Sequence, residues 1–346
     1  MDKKIPATVV GLGYWGPKIL RNLLASADFQ IHSLVDSNAD ALKLHARAVV
    51  SDRCYTSIDK VPLDEVEAVF VATPPQTHSD IGHFFLSQGK HVWIEKPLGT
   101  SSLEADALSA AAESADLVLW VDLPYLFHGA VRRMATDYRE RRFGSPTYVI
   151  TNRSNFGMYH QTVDVVRDLL VHDYAIVDAV LGGQPSAVSA SLFKELRPGC
   201  ASLAFVSTMW DSDVIVHSTG NQLAASKIRL VEVRGDTASA LFDDNSSTGK
   251  LTYTNSTLPD HLSATPWSVG EQHALNEQTV TEIRHVEPLA ESIAAFATTI
   301  RNEKRISIPE PTRIALGAHR WAEAAFESAA SGSGWVPVRQ EVSATP

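Results

Sequence analysis

Val9-Val10-Gly11-Leu12-Gly13-Tyr14-Trp15-Gly16-Pro17 decides the fold. Gly11, Gly13 and Gly16 set the spacing G-x-G-x-x-G. An apolar run, Ile5 to Val10, precedes them and predicts a strand. Ile19, Leu20, Leu23 and Leu24 follow at helical spacing and predict a helix opening near Gly13. Strand, glycine turn and helix in that order are the context a dinucleotide fingerprint needs. The first glycine permits the tight turn, the second lets a diphosphate approach the backbone, and the third lets helix and strand pack closely. N–H groups at the helix start, with the helix dipole, favour phosphate charge there. Glycines also mark ordinary tight turns, so the order of elements carries the argument rather than the glycines alone.

The same alternation continues. Gln30 to Val35, Ala68 to Ala72, His91 to Ile94 and Leu117 to Val121 read as strands. Helices are expected over Ala39 to Val49, from about Ser79, and after the capping box Ser101 to Glu104. Repeated βα units imply a doubly wound parallel sheet, the Rossmann arrangement, over residues 1–122. Ligands of such sheets bind at the carboxyl ends of the strands. Gly11, Asp36, Thr73 and Lys96 lie at those ends, with Pro74, His78 and Glu95 beside them. These residues, with Gly13, Tyr14, Trp15 and Gly16, are the cofactor-binding candidates. Trp15 reads equally as packing.

Residues 123–346 change pattern. Helices are expected over Ala130 to Arg141 and Val163 to Leu181, and a strand over Thr147 to Arg153. Runs at 186–193, 201–209, 213–217, 227–234 and 238–242 then predict a large open, mostly antiparallel sheet with one wet face. Thr254 to His285 is polar and reads as an excursion or lid. Helices over Glu287 to Arg301 and Glu310 to Ser328 follow, and Gln340 to Pro346 is expected to fray. The expected fold class is α/β: an N-terminal Rossmann domain, then an α/β substrate and oligomerisation domain, with a cleft between them.

Composition narrows the functions. A formal charge of −10 argues against a nucleic-acid binder. No apolar run reaches the length of a membrane span. The start MDKKIPATVV leaves no room for a signal peptide, and two cysteines, Cys54 and Cys200, fit a reducing compartment, so the cytoplasm is expected. The 13 histidines contain no H-x-x-x-H pair, so no metal site is expected.

Three single residues suggest chemistry. Asp36 lies 25 positions after Gly11, near the interval of about 20 for a ribose-binding acid. A carboxylate there accepts from both ribose hydroxyls and repels a 2′-phosphate, which predicts NAD over NADP. Its alternative role is N-cap of the helix after it. Lys96 follows an apolar strand and precedes Pro97, which holds the lysine backbone extended. It reads either as a polarising cation or as a solvated charge. Asp168 and His172 are four apart, on one face of the expected helix. They read either as an oriented acid/base or as a structural pair.

Together these motifs resemble the glucose–fructose oxidoreductase, inositol dehydrogenase and rhizopine-catabolism (Gfo/Idh/MocA) family. GLGYWGP, VATPPQTH (71–78) and WIEKPLG (93–99) carry the resemblance in the first half. DLLVHD (168–173), KIRLVEVRGD (227–236) and EPL (287–289) carry it in the second. The resemblance implies Lys96, Asp168 and His172 as the catalytic group, and a homodimer or homotetramer formed through the C-terminal sheet. GxGYWGP with TNRSNFG (151–157) looks like the branch acting at C3 of nucleotide-linked sugars, which makes Arg153 and Asn155 substrate candidates. Arg153 reads otherwise as an exposed strand-end charge. Departures border the pocket. Arg167 stands where the branch usually has Trp, and is itself a substrate candidate. Asp122-Leu123 replaces Gly-His, and Phe127-His128 replaces Tyr-Asn. The Trp usual before Lys227 is absent. The implied function is a dehydrogenase of a nucleotide sugar or sugar acid. A free polyol or inositol dehydrogenase, and a sugar sensor without turnover, are the alternatives.

Overall fold

The computed structural model describes residues 3–50, 52–156, 163–194, 200–247, 250–255, 276–280, 283, 286–302 and 308–339. Contacts divide the chain into two units, Met1–Phe127 with Val286–His319, and His128–His285 with Arg320–Pro346. The first unit begins with β1 (Ile5–Val10), α1 (Gly16–Ala25), β2 (Phe29–Val35), α2 (Ala39–His45), β3 (Cys54–Tyr55) and β4 (Ala68–Val71). It continues with α3 (His78–Ser87), β5 (His91–Glu95), α4 (Ser102–Ser114) and β6 (Leu119–Asp122). The six strands run in the order β3-β2-β1-β4-β5-β6, every pair parallel. The order reverses at β1, so the crevice of such a sheet lies where β1 and β4 diverge. Strand β4, Ala-Val-Phe-Val, is buried throughout, as a strand covered on both faces must be.

Two expected boundaries move. Helix α1 starts at Gly16, not near Gly13, because Pro17 pre-sets the first helical turn and its missing N–H is one that a helix start leaves unused. Helix α2 ends at His45, and a 3₁₀ turn at Ala46–Ala48 replaces the rest of the expected helix.

The second unit holds α5 (Gly129–Arg139), β7 (Pro146–Phe156), α6 (Val171–Leu181), β8 (Ala187–Phe193), β9 (Leu203–Met209) and β10 (Ile215–Asn221). After them come β11 (Leu223–Gly235), β12 (Ala238–Asp243), β13 (Leu251–Asn255), β14 (Asn276–Val280) and β15 (Val336–Pro337). They form one nine-stranded sheet, β14-β13-β12-β11-β7-β10-β9-β8-β15. Every pairing is antiparallel except β7 with β10. On one face Val149, Thr151, Val206, Val216, Val231 and Val233 are buried. On the other, Tyr148, Ile150, Phe193, Phe205 and Ile215 are exposed. The strand β14 lies within the stretch read as an excursion. Residues 256–275 of that stretch, and the tail 340–346 expected to fray, lie outside the described residues.

The remaining helices are α7 (Pro288–Arg301) and α8 (Glu310–Ala330). The first unit takes α7 and the beginning of α8, an arrangement the expected boundary after Asp122 does not include. Its physical reason is the aromatic surface of the sheet. Phe29, Phe70, Trp93 and Trp120 are all buried there, and Phe296 of α7 meets Phe29, Phe70 and Trp120 with ring centroids 6.0, 5.6 and 6.0 Å apart. Thr312 Oγ1 donates to the Leu119 carbonyl at 2.6 Å and ties α8 to β6. The sheet needs these helices to remove that surface from water.

Candidate functional site

At the glycine turn the three glycines differ in what a side chain would meet. Gly11 has φ +92°, and a Cβ there would lie 2.7 Å from the Ala72 carbonyl carbon. A Cβ on Gly16 would lie 2.1 Å from the Gly11 carbonyl oxygen. A Cβ on Gly13 would meet no described atom within 4 Å. Packing therefore explains Gly11 and Gly16 but not Gly13. Trp15 is the N-cap of α1 and makes no side-chain cap, so the first turn of α1 has no side-chain acceptor from that residue. Tyr14 and Trp15 are exposed, and the Lys18 ammonium stands over both rings, 3.4 and 3.9 Å from their centroids. Lys18, which the motif reading does not single out, thus places a cation in the first turn of α1.

Asp36, just past β2, is half-buried. Its Oδ2 accepts from the Leu12 N–H at 2.7 Å, and its Oδ1 accepts from the Asn38 N–H at 2.8 Å. The cap of α2 is Asn38, whose side chain accepts from Asp40 N–H. Asp36 is therefore not that cap, and the glycine turn itself fixes its carboxylate. Each oxygen keeps a further lone pair for an outside donor.

Thr73 and Pro74 form the turn after β4, where Thr77 Oγ1 donates to Thr73 Oγ1 at 2.7 Å. His78 is wholly buried beneath them. Its Nε2 lies 2.8 Å from the Thr73 carbonyl, and its Nδ1 lies 2.8 Å from the Pro97 carbonyl. Burial pushes its pKa down, against the pull of the two carbonyls. His78 thus ties the turn after β4 to the turn after β5 and is itself covered. Lys96 follows β5, half-buried, and the Lys96–Pro97 bond is cis.

Glu95 and Asp122 end β5 and β6 as register partners. Both are buried, at 6% and 2% exposure. Burial pushes Glu95 up to about 7, against the Lys96 ammonium, the Lys96 backbone N–H and the Lys18 charge. Burial and then the neighbouring Glu95 carboxyl raise Asp122 well above the carboxylate range, against the Ser292 hydroxyl and Lys96.

In the second unit, residues 163–181 do not form one regular helix. Val166–Leu170 is a π turn that leads into α6. Asp168 lies in this turn and His172 in the first turn of α6, both half-buried. The wider π repeat replaces the simple same-face argument for a four-residue spacing, and such turns recur at functional sites. Asp164 caps the turn, accepting from the N–H groups of Val166 and Arg167 at 2.9 Å each. Asp168 Oδ2 accepts from Gln222 Nε2 at 3.1 Å. Gln222 is 2% exposed at the junction of β10 and β11. A Cβ on the neighbouring Gly220 would lie 2.8 Å from Leu170, so only glycine lets the π turn pack on β10.

The three substrate candidates fare differently. Arg153 is 2% exposed, and its Nε and Nη2 donate to Asp173 Oδ1 at 2.9 and 2.7 Å. It is neither an exposed strand-end charge nor presented for an outside anion. Burial raises Asp173, with the Arg153 charge opposing. Arg167 pairs with Asp164 at 3.1 Å and stacks over Phe326, 4.6 Å from the ring centroid. Asn155 is half-buried near the end of β7. Gly157, at the end of the same motif, lies outside the described residues. Among the described residues no group of three His, Cys, Asp or Glu could hold a metal ion, and no helix is long and apolar enough to cross a membrane.

Residues 5–123 match the sequence profile of the Gfo/Idh/MocA oxidoreductase family, described as having an NAD-binding Rossmann fold. A UDP-N-acetylglucosamine 3-dehydrogenase of Acidithiobacillus ferrooxidans is 31% identical over 183 residues, 53% of this chain and 56% of that protein. The chain thus spans little more than half of that relative. The solved structure of the Acidithiobacillus ferrooxidans UDP-N-acetylglucosamine 3-dehydrogenase superposes with a TM-score of 0.77 at 22% identity, over 95% of this chain and 98% of that one. A putative oxidoreductase from Magnetospirillum magnetotacticum gives 0.75 at 27% identity, over 93% and 99%. The two-sheet fold is the fold of these proteins.

Proposed function

We propose, for a chain that belongs through residues 5–123 to the Gfo/Idh/MocA oxidoreductase family, an NAD-dependent dehydrogenase acting on a secondary alcohol of a sugar. The observation that carries it is the glycine turn, where the two outer glycines are required by packing and Gly13 is required by no contact among the described residues. A Cβ at Gly13 would occupy the approach of a dinucleotide diphosphate. Bound NAD would supply the hydride acceptor. Gly11, Gly13 and Gly16, with Tyr14, Trp15 and the Lys18 ammonium, hold its diphosphate end. Asp36 takes the ribose hydroxyls, which favours NAD over NADP. Thr73, Pro74 and Glu95 line the strand ends along the cofactor, and His78 holds their turns in place.

On the substrate, Lys96 supplies a fixed positive charge to the oxygen that changes between hydroxyl and carbonyl. His172 takes the hydroxyl proton during oxidation and returns it during reduction. Asp168, itself held by Gln222, orients His172. Arg167 and Asn155 border the sugar, while Arg153 braces that region from within. The similarity to a UDP-N-acetylglucosamine 3-dehydrogenase supports a nucleotide sugar as substrate, with a free polyol as the alternative. The exposed Tyr148, Ile150, Phe205 and Ile215 support a homodimer or homotetramer built on the open sheet face.

The test is NADH formation, followed by absorbance, over a panel of nucleotide sugars, sugar acids and free polyols. Turnover on at least one compound, lost at least 100-fold in Lys96→Ala (about 2.7 kcal/mol) with NAD binding kept, supports the reading. Unimpaired turnover in Lys96→Ala refutes its role. Tight NAD binding with no turnover on any compound replaces the enzyme with a sensor.

A further inference from the structure

Two carboxylates close neighbouring parallel strands in the first unit. Glu95 and Asp122 are register partners at the ends of β5 and β6, so their side chains leave the sheet on one face, about 5 Å apart at the backbone. Both are more than nine-tenths buried. Two carboxylates this close, out of water, ionise one after the other, since like charges at short range push the second ionisation to higher pH. Losing both charges is opposed by two cations. Lys96 follows Glu95 in the chain, and Lys18 acts on it from α1. From α7 the group facing the pair is uncharged, the Ser292 hydroxyl.

Ser292 fixes the role of one oxygen. Trp120 Nε1–H donates to Ser292 Oγ at 3.2 Å, and an indole nitrogen only donates. The Ser292 hydrogen is then directed to Asp122 Oδ1 at 3.3 Å. Oδ1 is therefore an acceptor, and a proton held by Asp122 resides on Oδ2. Glu95 Oε1 is buried with no hydrogen-bond partner among the described residues. A bare buried carboxylate oxygen is costly, and a proton on either carboxyl reduces the charge held there.

We propose that Glu95 and Asp122 work as one acid pair that carries a single proton and a single negative charge, and that this charge positions the Lys96 ammonium. The consequence for turnover rests on the role of Lys96 proposed above; the proton itself does not. Because the folded pair keeps a proton that the unfolded chain releases near pH 4.5, stability is fully present below that pH. It falls as pH rises through about 7, the value to which burial pushes Glu95.

The experiment compares the wild type with Asp122→Asn and Glu95→Gln as full chains. Infrared difference spectra between about pH 5 and about pH 8 read the carbonyl stretch of a buried protonated carboxyl. Thermal unfolding over the same range reads the linked stability, and kcat against KM reads the placement of Lys96. The expected result is a carboxyl signal near neutral pH in the wild type that moves to lower pH in both Glu95→Gln and Asp122→Asn, each remaining carboxyl keeping its burial but losing its neighbour. The decline of Tm with rising pH is at least halved in Asp122→Asn. Its kcat falls about tenfold with KM for NAD unchanged, because the charge that positions the Lys96 ammonium is gone. A merely structural Asp122 lowers Tm equally at every pH and leaves kcat in place, which overturns the proposal. Absence of the carboxyl signal in the wild type overturns it as well. Should Asp122→Asn not fold, the carboxyl signal and the pH dependence of Tm in Glu95→Gln decide the same question. Full turnover in Lys96→Ala with the carboxyl signal intact would reject the reading of Lys96 while leaving the shared proton standing.

Discussion

Gly13→Ala separates a ligand-imposed glycine from a packing-imposed one. The added methyl meets no described atom within 4 Å, and Gly13 does not occupy a left-handed φ that would strain an alanine. Its effect on stability is expected within about 0.5 kcal/mol, with a small gain from the stiffer unfolded chain as the favourable limit. The methyl instead fills the approach of the diphosphate. Pushing that group back by about a bond length removes close N–H contacts at the start of α1, and a 10- to 100-fold loss of NAD affinity is expected, about 1.4 to 2.8 kcal/mol. Gly16→Ala is the contrast. Its methyl would lie 2.1 Å from the Gly11 carbonyl oxygen, so the strand end and α1 must part. Overpacking of this kind costs about 1–3 kcal/mol and lowers Tm by roughly 2–4 °C per kcal/mol. Isothermal titration with NAD and thermal unfolding of both variants check this. An unchanged NAD affinity in Gly13→Ala refutes the assignment of the turn. A Tm loss in Gly13→Ala equal to that in Gly16→Ala refutes the claim that the space beside it is open.

Other outcomes follow from the same coordinates. Arg153→Met leaves Asp173 buried without its guanidinium, so a loss of about 3–5 kcal/mol is expected in urea unfolding. Burial raises Asp173, so that loss should shrink toward acid pH, where the carboxyl is neutral, and Asp173→Leu added to Arg153→Met should recover much of it. Phe296→Ala removes the ring that covers Phe29, Phe70 and Trp120 and should cost about 3–5 kcal/mol by the same measurement.

The parts of the fold that follow from local periodicity are readable in the chain. An apolar run of four, such as Ala68 to Val71, flanked by helical spacing, can only be a covered parallel strand, and the glycine pattern sets where the sheet turns. Alternation along residues 227–234 likewise reveals a sheet with two unlike faces. Features that depend on distant partners are not readable. Arg153 carries no local sign that a helix twenty residues later will bury Asp173 against it. A four-residue spacing between Asp168 and His172 suits an α-helix, and the π turn that intervenes depends on Leu170 packing against Gly220, fifty residues on. Gln222 lies between two strands, and only their register shows that it reaches Asp168. Strands of two residues, such as β3, are too short for any period. Asp122 reads as an odd residue at a strand end until Glu95 is seen beside it.

The cover that α7 provides has a consequence for how this protein is made. Synthesis runs from the N-terminus, and domains commonly fold as they emerge. Here the first six strands leave the ribosome with Phe70, Trp93 and Trp120 facing no partner, because the segment bearing Phe296 is still some 170 residues away from being translated. The nascent sheet waits, sticky on one side, while residues 128–285 of the second unit are produced. An excised piece ending at Phe127 would carry that same oily surface into the test tube, so the dinucleotide-binding half is no detachable module.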